Sequence, residues 1–182
     1  MCDRIGTPRF ICGCEPSVSD VVLRRAQSSD VSTLERWEKA EHVRAVSGQD
    51  EPWEWEHEIN VTWQEVWICE VDARPIGVVI VLDAANEPSN YWGESSHRPS
   101  PGTYAIDIWI GESDALGRGY GTLMMEHAIA RAFNAHAAHT IVIDPLATNR
   151  RAIAFYRRFG FTDVGPRRFG NDDCLVLELL RS

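Results

Sequence analysis

Residues 104–121, YAIDIWIGESDALGRGYG, constrain the fold more than any other stretch of this chain. Tyr104, Ile106, Ile108 and Ile110 alternate as one face of a β-strand. Asp107 lies on the opposite face, between Ala105 and Trp109, where burying a carboxylate without a partner is costly. Gly111, Gly117, Gly119 and Gly121 follow at once. Beyond them GYGTLMMEHAIARAFNAH has the spacing of an amphipathic helix, with Leu123, Ala130 and Phe133 on one side and Met124, Ala128 and Ile129 near it. Glycines let a backbone turn tightly and approach a ligand closely. A helix start adds unpaired N–H groups and the positive end of its dipole. Gly117-Arg118-Gly119-Tyr120-Gly121-Thr122 therefore reads as an anion site suited to phosphate, with Arg118 adding charge. It is not a Walker loop, which needs Gly-Lys-Ser/Thr, and its Gly-x-Gly-x-Gly spacing is not the dinucleotide fingerprint. A plain glycine-rich turn between strand and helix is the alternative.

The elements around this unit follow from periodicity and turn chemistry. DVVLRRA (20–26) reads as a first strand, and SSDVSTLERWEKAEHV as a helix with the apolar stripe Val31, Leu34 and Trp37. A second short helix is expected near Pro52. EVWICEVDARPIGVVIVLDA reads as two strands around the turn Asp72-Ala73-Arg74-Pro75. Residues 85–103 form a long Pro/Ser/Asn/Gly loop, a length that is usually functional or disordered. HTIVIDP is a short buried strand stopped by Pro145, and NRRAIAFYRRFG a helix capped by Asn149 and ended by Gly160. FTDVGPRRF and DCLVLELL close the chain as an antiparallel pair. Strands come first in pairs and later alternate with helices, which predicts one mixed α/β (α+β) sheet. Residues 1–19 read as a flexible tail and 20–182 as one domain, with no internal repeat.

The chain has 182 residues and a net charge of −9, with no basic patch of the kind nucleic-acid binders carry. An acidic surface favours cationic partners at long range, although solubility alone also explains it. No apolar run reaches the roughly 18 residues of a membrane span. The N-terminus lacks the apolar core of a signal peptide, so a cytoplasmic protein is expected. Five cysteines without such a signal predict reduced thiols, and Cys12-Gly13-Cys14 lacks a matching pair for a metal, so none is expected.

Taken together, the Asp107 strand, LGRGYGTLM, the helix behind it, IVIDP and NRRAIAFYRRFGF resemble the GCN5-related N-acetyltransferases (GNAT superfamily) over roughly residues 20–180. That resemblance implies a single splayed, mostly antiparallel sheet of about seven strands flanked by about four helices. It implies acetyl-CoA as co-substrate, with its pyrophosphate on Gly117, Arg118, Gly119, Tyr120, Gly121 and Thr122. The pantetheine arm would pair with the strand edge at Ile108 and Ile110 and meet Asn149, Ala152 and Tyr156. Leu116 stands where the family usually carries Gln or Arg. A narrower set, YAIDIWIG, GRGYGT, DPLATNRRAIAFYRRFGF, YWGE at 91–94 and the acidic end segment, resembles the bacterial aminoglycoside 6′-N-acetyltransferases. This implies Asp107 beside the reacting amine, and Asp144 and Asp172 lining the antibiotic site.

The chemistry sets the remaining roles. A protonated amine cannot attack a thioester, so Asp107 is the candidate for holding the cation and taking its proton. At an ordinary pKa of ~3.9 it is a weak base, and its electrostatic role is the firmer one. Tyr156, two helical turns after Asn149, is placed to donate to the departing sulfur, with core packing as the alternative. A backbone N–H near 108–110 would stabilise the oxyanion. Trp53 and Trp55 among glutamates, and Tyr91 with Trp92, offer ring faces to an amino sugar, or are core and loop packing. Cys69 and Cys174 sit in apolar strands, which favours direct transfer in a ternary complex over an acyl-cysteine. The expected partner is a small cationic amine, with an aminoglycoside leading; nucleic acid and membrane are not expected, and the protein is a monomer or homodimer. Another amine (a protein N-terminus or lysine, a polyamine, a siderophore precursor) or a non-catalytic acetyl-CoA-binding module are the other readings.

Overall fold

A computed structural model describes residues 21–48, 52–88, 91–92 and 99–181. The expected tail over 1–19, with Cys2, Cys12 and Cys14, lies outside the described residues, as does 93–98 of the long loop. The strands are β1 (Val21–Arg25), β2 (Gln64–Val71), β3 (Arg74–Asp83), β4 (Thr103–Ile110), β5 (Thr140–Ile143), β6 (Thr162–Phe169) and β7 (Asp172–Leu180). The helices are α1 (Val31–Glu38), α2 (Glu41–Arg44), α3 (Trp55–Glu58), α4 (Tyr120–Ala130) and α5 (Arg150–Arg157). One seven-stranded sheet runs in the order β1-β2-β3-β4-β5-β7-β6. Every neighbouring pair is antiparallel except β4 and β5. The mixed, mostly antiparallel sheet is as expected; the helix expected over SSDVSTLERWEKAEHV is divided into α1 and the single turn α2, and α3 is the short helix expected near Pro52.

Local chemistry explains most boundaries. Asp72 and Ala73 take φ of +51° and +59°, the left-handed pair that joins β2 to β3 without splaying them. Arg74 and Pro75, expected in that turn, instead open β3. The short helix expected near Pro52 starts three residues later, at Trp55. Asp30, ahead of α1, is buried: its carboxylate takes both Nη atoms of Arg24 at 2.7 and 2.8 Å and the Gln27 N–H at 2.8 Å.

The sheet carries a core on each face. On one, Val79, Val81, Ile106, Ile141 and Ile143 pack against Met124, Met125 and Ala128 of α4. On the other, Val66, Ile68, Val78, Ile80 and Ala105 pack against Leu34, Trp37 and Trp55. Within α4 the buried stripe is Tyr120, Met124, Met125 and Ala128, whereas Ala130 is exposed. Alanine has too little apolar surface for spacing alone to assign its face; the two methionines decide the orientation. A π-helical turn, Arg131–Ala135, follows. It sets Arg131 in a fork on Glu65 of β2, with Nε and Nη2 at 2.7 and 2.8 Å. Arg25 lies 3.1 Å from the same carboxylate. Arg131 holds the Glu65 carboxyl well below its usual range, at about 2, against the opposing effect of burial.

Candidate active site

The site begins where the sheet stops being one sheet. β4 and β5 pair at Thr103↔Thr140, Tyr104↔Ile141 and Ala105↔Val142, and no further. β4 stays on β3 as far as Ile110↔Gly77. The chain after β5 stays on β7: the Leu146↔Cys174 bridge continues the register of Ile143↔Leu177. Pro145, which cannot donate to a ladder, ends β5 and accepts from the Leu175 N–H at 3.0 Å. The two halves therefore diverge beyond Ala105 and Val142.

Backbone alternation shows what the opened edge presents. Ala84 N–H donates to Thr103 O at 3.1 Å, and Gly111 N–H to Ile76 O at 2.9 Å. Between these ends, the polar groups of Ala105, Asp107 and Trp109 face β3, while those of Ile108 and Ile110 face the gap. The Ile110 carbonyl accepts from His42 Nε2 at 3.0 Å. No strand among the described residues pairs with Ile108 or Ile110 on that side.

Asp107 and Asp144 each lie two residues past the last pair, one on either arm of the fork, and both are half-buried. Tyr156 of α5 senses both. Burial first, then the negative charges of Asp107 and Asp144, push its hydroxyl pKa above the ordinary tyrosine value, so it keeps its proton at neutral pH. The Tyr91 hydroxyl donates to Asp144 Oδ2 at 2.7 Å. Asp172 opens β7, and its carboxylate lies against Gly48 (φ +63°), so that a Cβ there would push the carboxylate aside.

The aromatic residues gather on the same side. Trp53 and Trp55 stack at 5.1 Å and 12°, and both tilt against Trp109, which shares the Asp107 face of β4. Trp55 is buried in the core with Nε1 3.2 Å from Glu38 Oε2, while Trp53 is half-buried. Trp92 is buried and meets Tyr91 edge-on at 5.7 Å. A cavity of about 680 Å³ opens beside this pair, lined also by Pro166, Arg167, Phe169 and Val176.

The glycine loop lies beyond the same end of β4. Gly117 and Gly119 take φ of +75° and +85°, and a Cβ at either would meet no atom within 4 Å, so the loop has an open face. Gly119 is the N-cap of α4 and no side chain caps it, so the Tyr120 and Gly121 N–H groups have no partner within the helix. The Tyr120 ring is buried beneath, and Arg118 and Leu116 are exposed. The loop is anchored upstream. Glu112 accepts from Arg36 Nη2 at 2.5 Å, Trp37 Nε1 at 2.8 Å and Arg74 Nη2 at 3.2 Å. Arg74 also forks onto Asp114. Opposite, Asn149 caps α5, its Oδ1 accepting from the Ala152 N–H at 3.1 Å. The Asn149 side-chain nitrogen makes no hydrogen bond among the described residues.

Sequence reasoning missed Trp109, His42 and Phe169. Trp109 was legible as the i+2 neighbour of Asp107. His42 and Phe169 carry no local signal; only pairing across the fold brings them to the fork. Cys69 and Cys174 are buried, and burial pushes the Cys69 thiol up to about 12, which makes it a poor nucleophile. No helix among the described residues is long and apolar enough to cross a membrane.

A splayed sheet, an uncapped helix start behind a glycine loop, and a carboxylate at the fork define an acyltransferase architecture. Residues 26–169 match the acetyltransferase (GNAT) domain family, and the chain belongs to it. The aminoglycoside N(6′)-acetyltransferase type 1 of Klebsiella pneumoniae is 27% identical over 158 residues, covering 82% of this chain and 77% of that protein. The fold is similar to that of AAC(6′)-Ib in complex with paromomycin and acetyl-CoA (TM-score 0.76, 23% identity, 89% of this chain and 94% of that one). A complex of the same enzyme with coenzyme A and kanamycin matches at a TM-score of 0.73 with 22% identity, over 88% and 95% of the two chains. The protein is thus an acetyltransferase of the GNAT type.

Proposed function

We propose that this enzyme transfers the acetyl group of acetyl-CoA to the 6′-amine of an aminoglycoside, by direct attack in a ternary complex. The observation that carries the reading is the placement of Asp107 and Asp144 on opposite arms of the fork, beside a tyrosine that stays protonated. Two carboxylates at one cleft suit an acceptor with several ammonium groups, and Asp172, which the resemblance assigns to the acceptor site, would add a third. Trp53 and Trp109 offer ring faces beside Asp107, with Trp55 packed behind them. Tyr91 and Trp92 wall the other side.

The donor fits the residues present. The open face at Gly117 and Gly119, with the N–H groups of Tyr120 and Gly121 and the Arg118 charge, would hold the pyrophosphate; the Thr122 N–H donates to the Gly119 carbonyl at 2.9 Å, which leaves the Thr122 hydroxyl for the ligand. Ile108, Ile110, Asn149 and the first turn of α5 at Ala152 would hold the pantetheine arm. Acetyl-CoA supplies an activated carbonyl carbon. Asp107 orients the ammonium and takes one proton from it, directly or through a water, which frees the nitrogen lone pair for attack. The new C–N bond forms and the C–S bond breaks. The Ile108 or Ile110 backbone N–H, on the gap side of β4, steadies the oxyanion, and the Tyr156 hydroxyl hydrogen-bonds the departing sulfur, whose proton comes from the remaining N–H of the tetrahedral intermediate.

The test is thiol release from acetyl-CoA with kanamycin or ribostamycin as acceptor, alongside growth of a sensitive bacterium expressing the protein. Turnover with acetylation at the 6′-amine is expected. Absence of turnover with every aminoglycoside overturns the substrate assignment.

A further inference from the structure

We infer that Phe169, at the end of β6, is a positioning residue for the acceptor site: it stacks Tyr91 so that the Tyr91 hydroxyl holds the Asp144 carboxylate. The inference rests on the reading that Asp144 binds the acceptor amine. The contacts form a continuous chain. The rings of Phe169 and Tyr91 are parallel within 5°, with centroids 4.7 Å apart. The Arg167 guanidinium covers the Phe169 ring at 5.8 Å, and Trp92 meets it edge-on at 5.5 Å. At the far end of the stack, the Tyr91 hydroxyl is 2.7 Å from Asp144 Oδ2.

Phe169 is 5% exposed, whereas Tyr91 is 38% exposed and sits on the long loop between β3 and β4. A half-exposed loop tyrosine keeps one rotamer only if something fixed lies against its ring. The buried Phe169 is that surface. It is paired with Asp172, so a single hairpin end carries both the stacking ring and an expected acceptor carboxylate. Asp144 is also within electrostatic reach of Tyr156, at the reacting end of the cleft. A hydroxyl donor favours the ionised carboxylate and fixes which oxygen faces the acceptor.

The experiment reads Asp144 directly in the substrate-free enzyme, by carboxyl-carbon NMR titration of wild type, Tyr91→Phe, Phe169→Leu and Phe169→Tyr. Tyr91→Phe and Phe169→Leu are expected to raise the apparent Asp144 pKa by similar amounts, and Phe169→Tyr to leave it at the wild-type value. Kinetics should follow: about a tenfold rise in acceptor KM for Phe169→Leu, with acetyl-CoA KM unchanged. An Asp144 titration in Phe169→Leu that matches wild type overturns the inference, whether or not Tyr91→Phe shifts it. Should Phe169→Leu not fold, Phe169→Met removes the ring in its place. Lack of aminoglycoside turnover would defeat the substrate reading alone, because the titration needs no substrate.

Discussion

Asp107 on β4 and Asp144 just past β5 occupy the same step of a parallel ladder that has already come apart, two residues beyond Ala105↔Val142. Had the ladder continued, two carboxylates would face each other at pairing distance, a costly arrangement. The fork turns that liability into a cleft with negative charge on both walls.

Asp107→Asn should lower kcat/KM for the acceptor by 10²–10³, roughly the contribution of a positioned proton acceptor. Acetyl-CoA affinity, measured by titration, should not change. An unchanged rate would make Asp107 a structural residue and sink its part in the mechanism.

Tyr156→Phe should reduce kcat by about tenfold with both KM values held, because the lost group acts on the leaving sulfur. The raised pKa of Tyr156 also has a pH consequence. Since the hydroxyl ionises above the ordinary tyrosine value, wild type should show no activity loss from Tyr156 ionisation on going from pH 7 to pH 10. A falling limb near pH 9 that vanishes in Tyr156→Phe would contradict this.

Two glycines at the ends of the β4–α4 connection should fail differently. Gly119→Ala forces a Cβ onto a φ of +85° but into open space. It should fold, with a backbone penalty of ~1–2 kcal/mol, and bind acetyl-CoA about tenfold more weakly. At Gly111 a Cβ would overlap the Trp37 ring, so Gly111→Ala should fail in thermal stability before any assay of binding. Equal melting temperatures for the two variants would refute the distinction.

Glu65 links stability to acid. Its carboxyl is held at about 2, below the ordinary 4.5, chiefly by Arg131. A depressed carboxylate stabilises the fold above its unfolded pKa, and that contribution disappears as pH falls through the folded value. The stability gap between wild type and Glu65→Gln should therefore be full at pH 7, begin to shrink below pH 4.5 and close near pH 2. Denaturant melts across that range would show it; a constant gap would assign Glu65 a purely steric role.

Much of this was legible in the order of residues. The alternation of Tyr104, Ile106, Ile108 and Ile110 specified β4, and Pro145 specified where β5 stops. Asn149 and Gly119 marked the helix starts that the structure contains. Each of these is a local preference, decided by backbone sterics or a side chain reaching its own neighbours. The resemblance to GNAT enzymes rested on the same segments, 104–161 above all.

What the residue order left open was every relationship across the fold. The face that α4 buries, the stack of Trp53 on Trp55 against Trp109, the grip of His42 on Ile110 and the Tyr91–Phe169 stack all join segments far apart in sequence. Such contacts depend on register and on how two half-sheets part, which a one-residue slip would reassign throughout. The sequence by itself determined a strand with a carboxylate running into an anion-binding loop. Only the tertiary structure placed Asp144 opposite that carboxylate, because the departure of β5 toward β7 is set by pairing with the last strand of the chain.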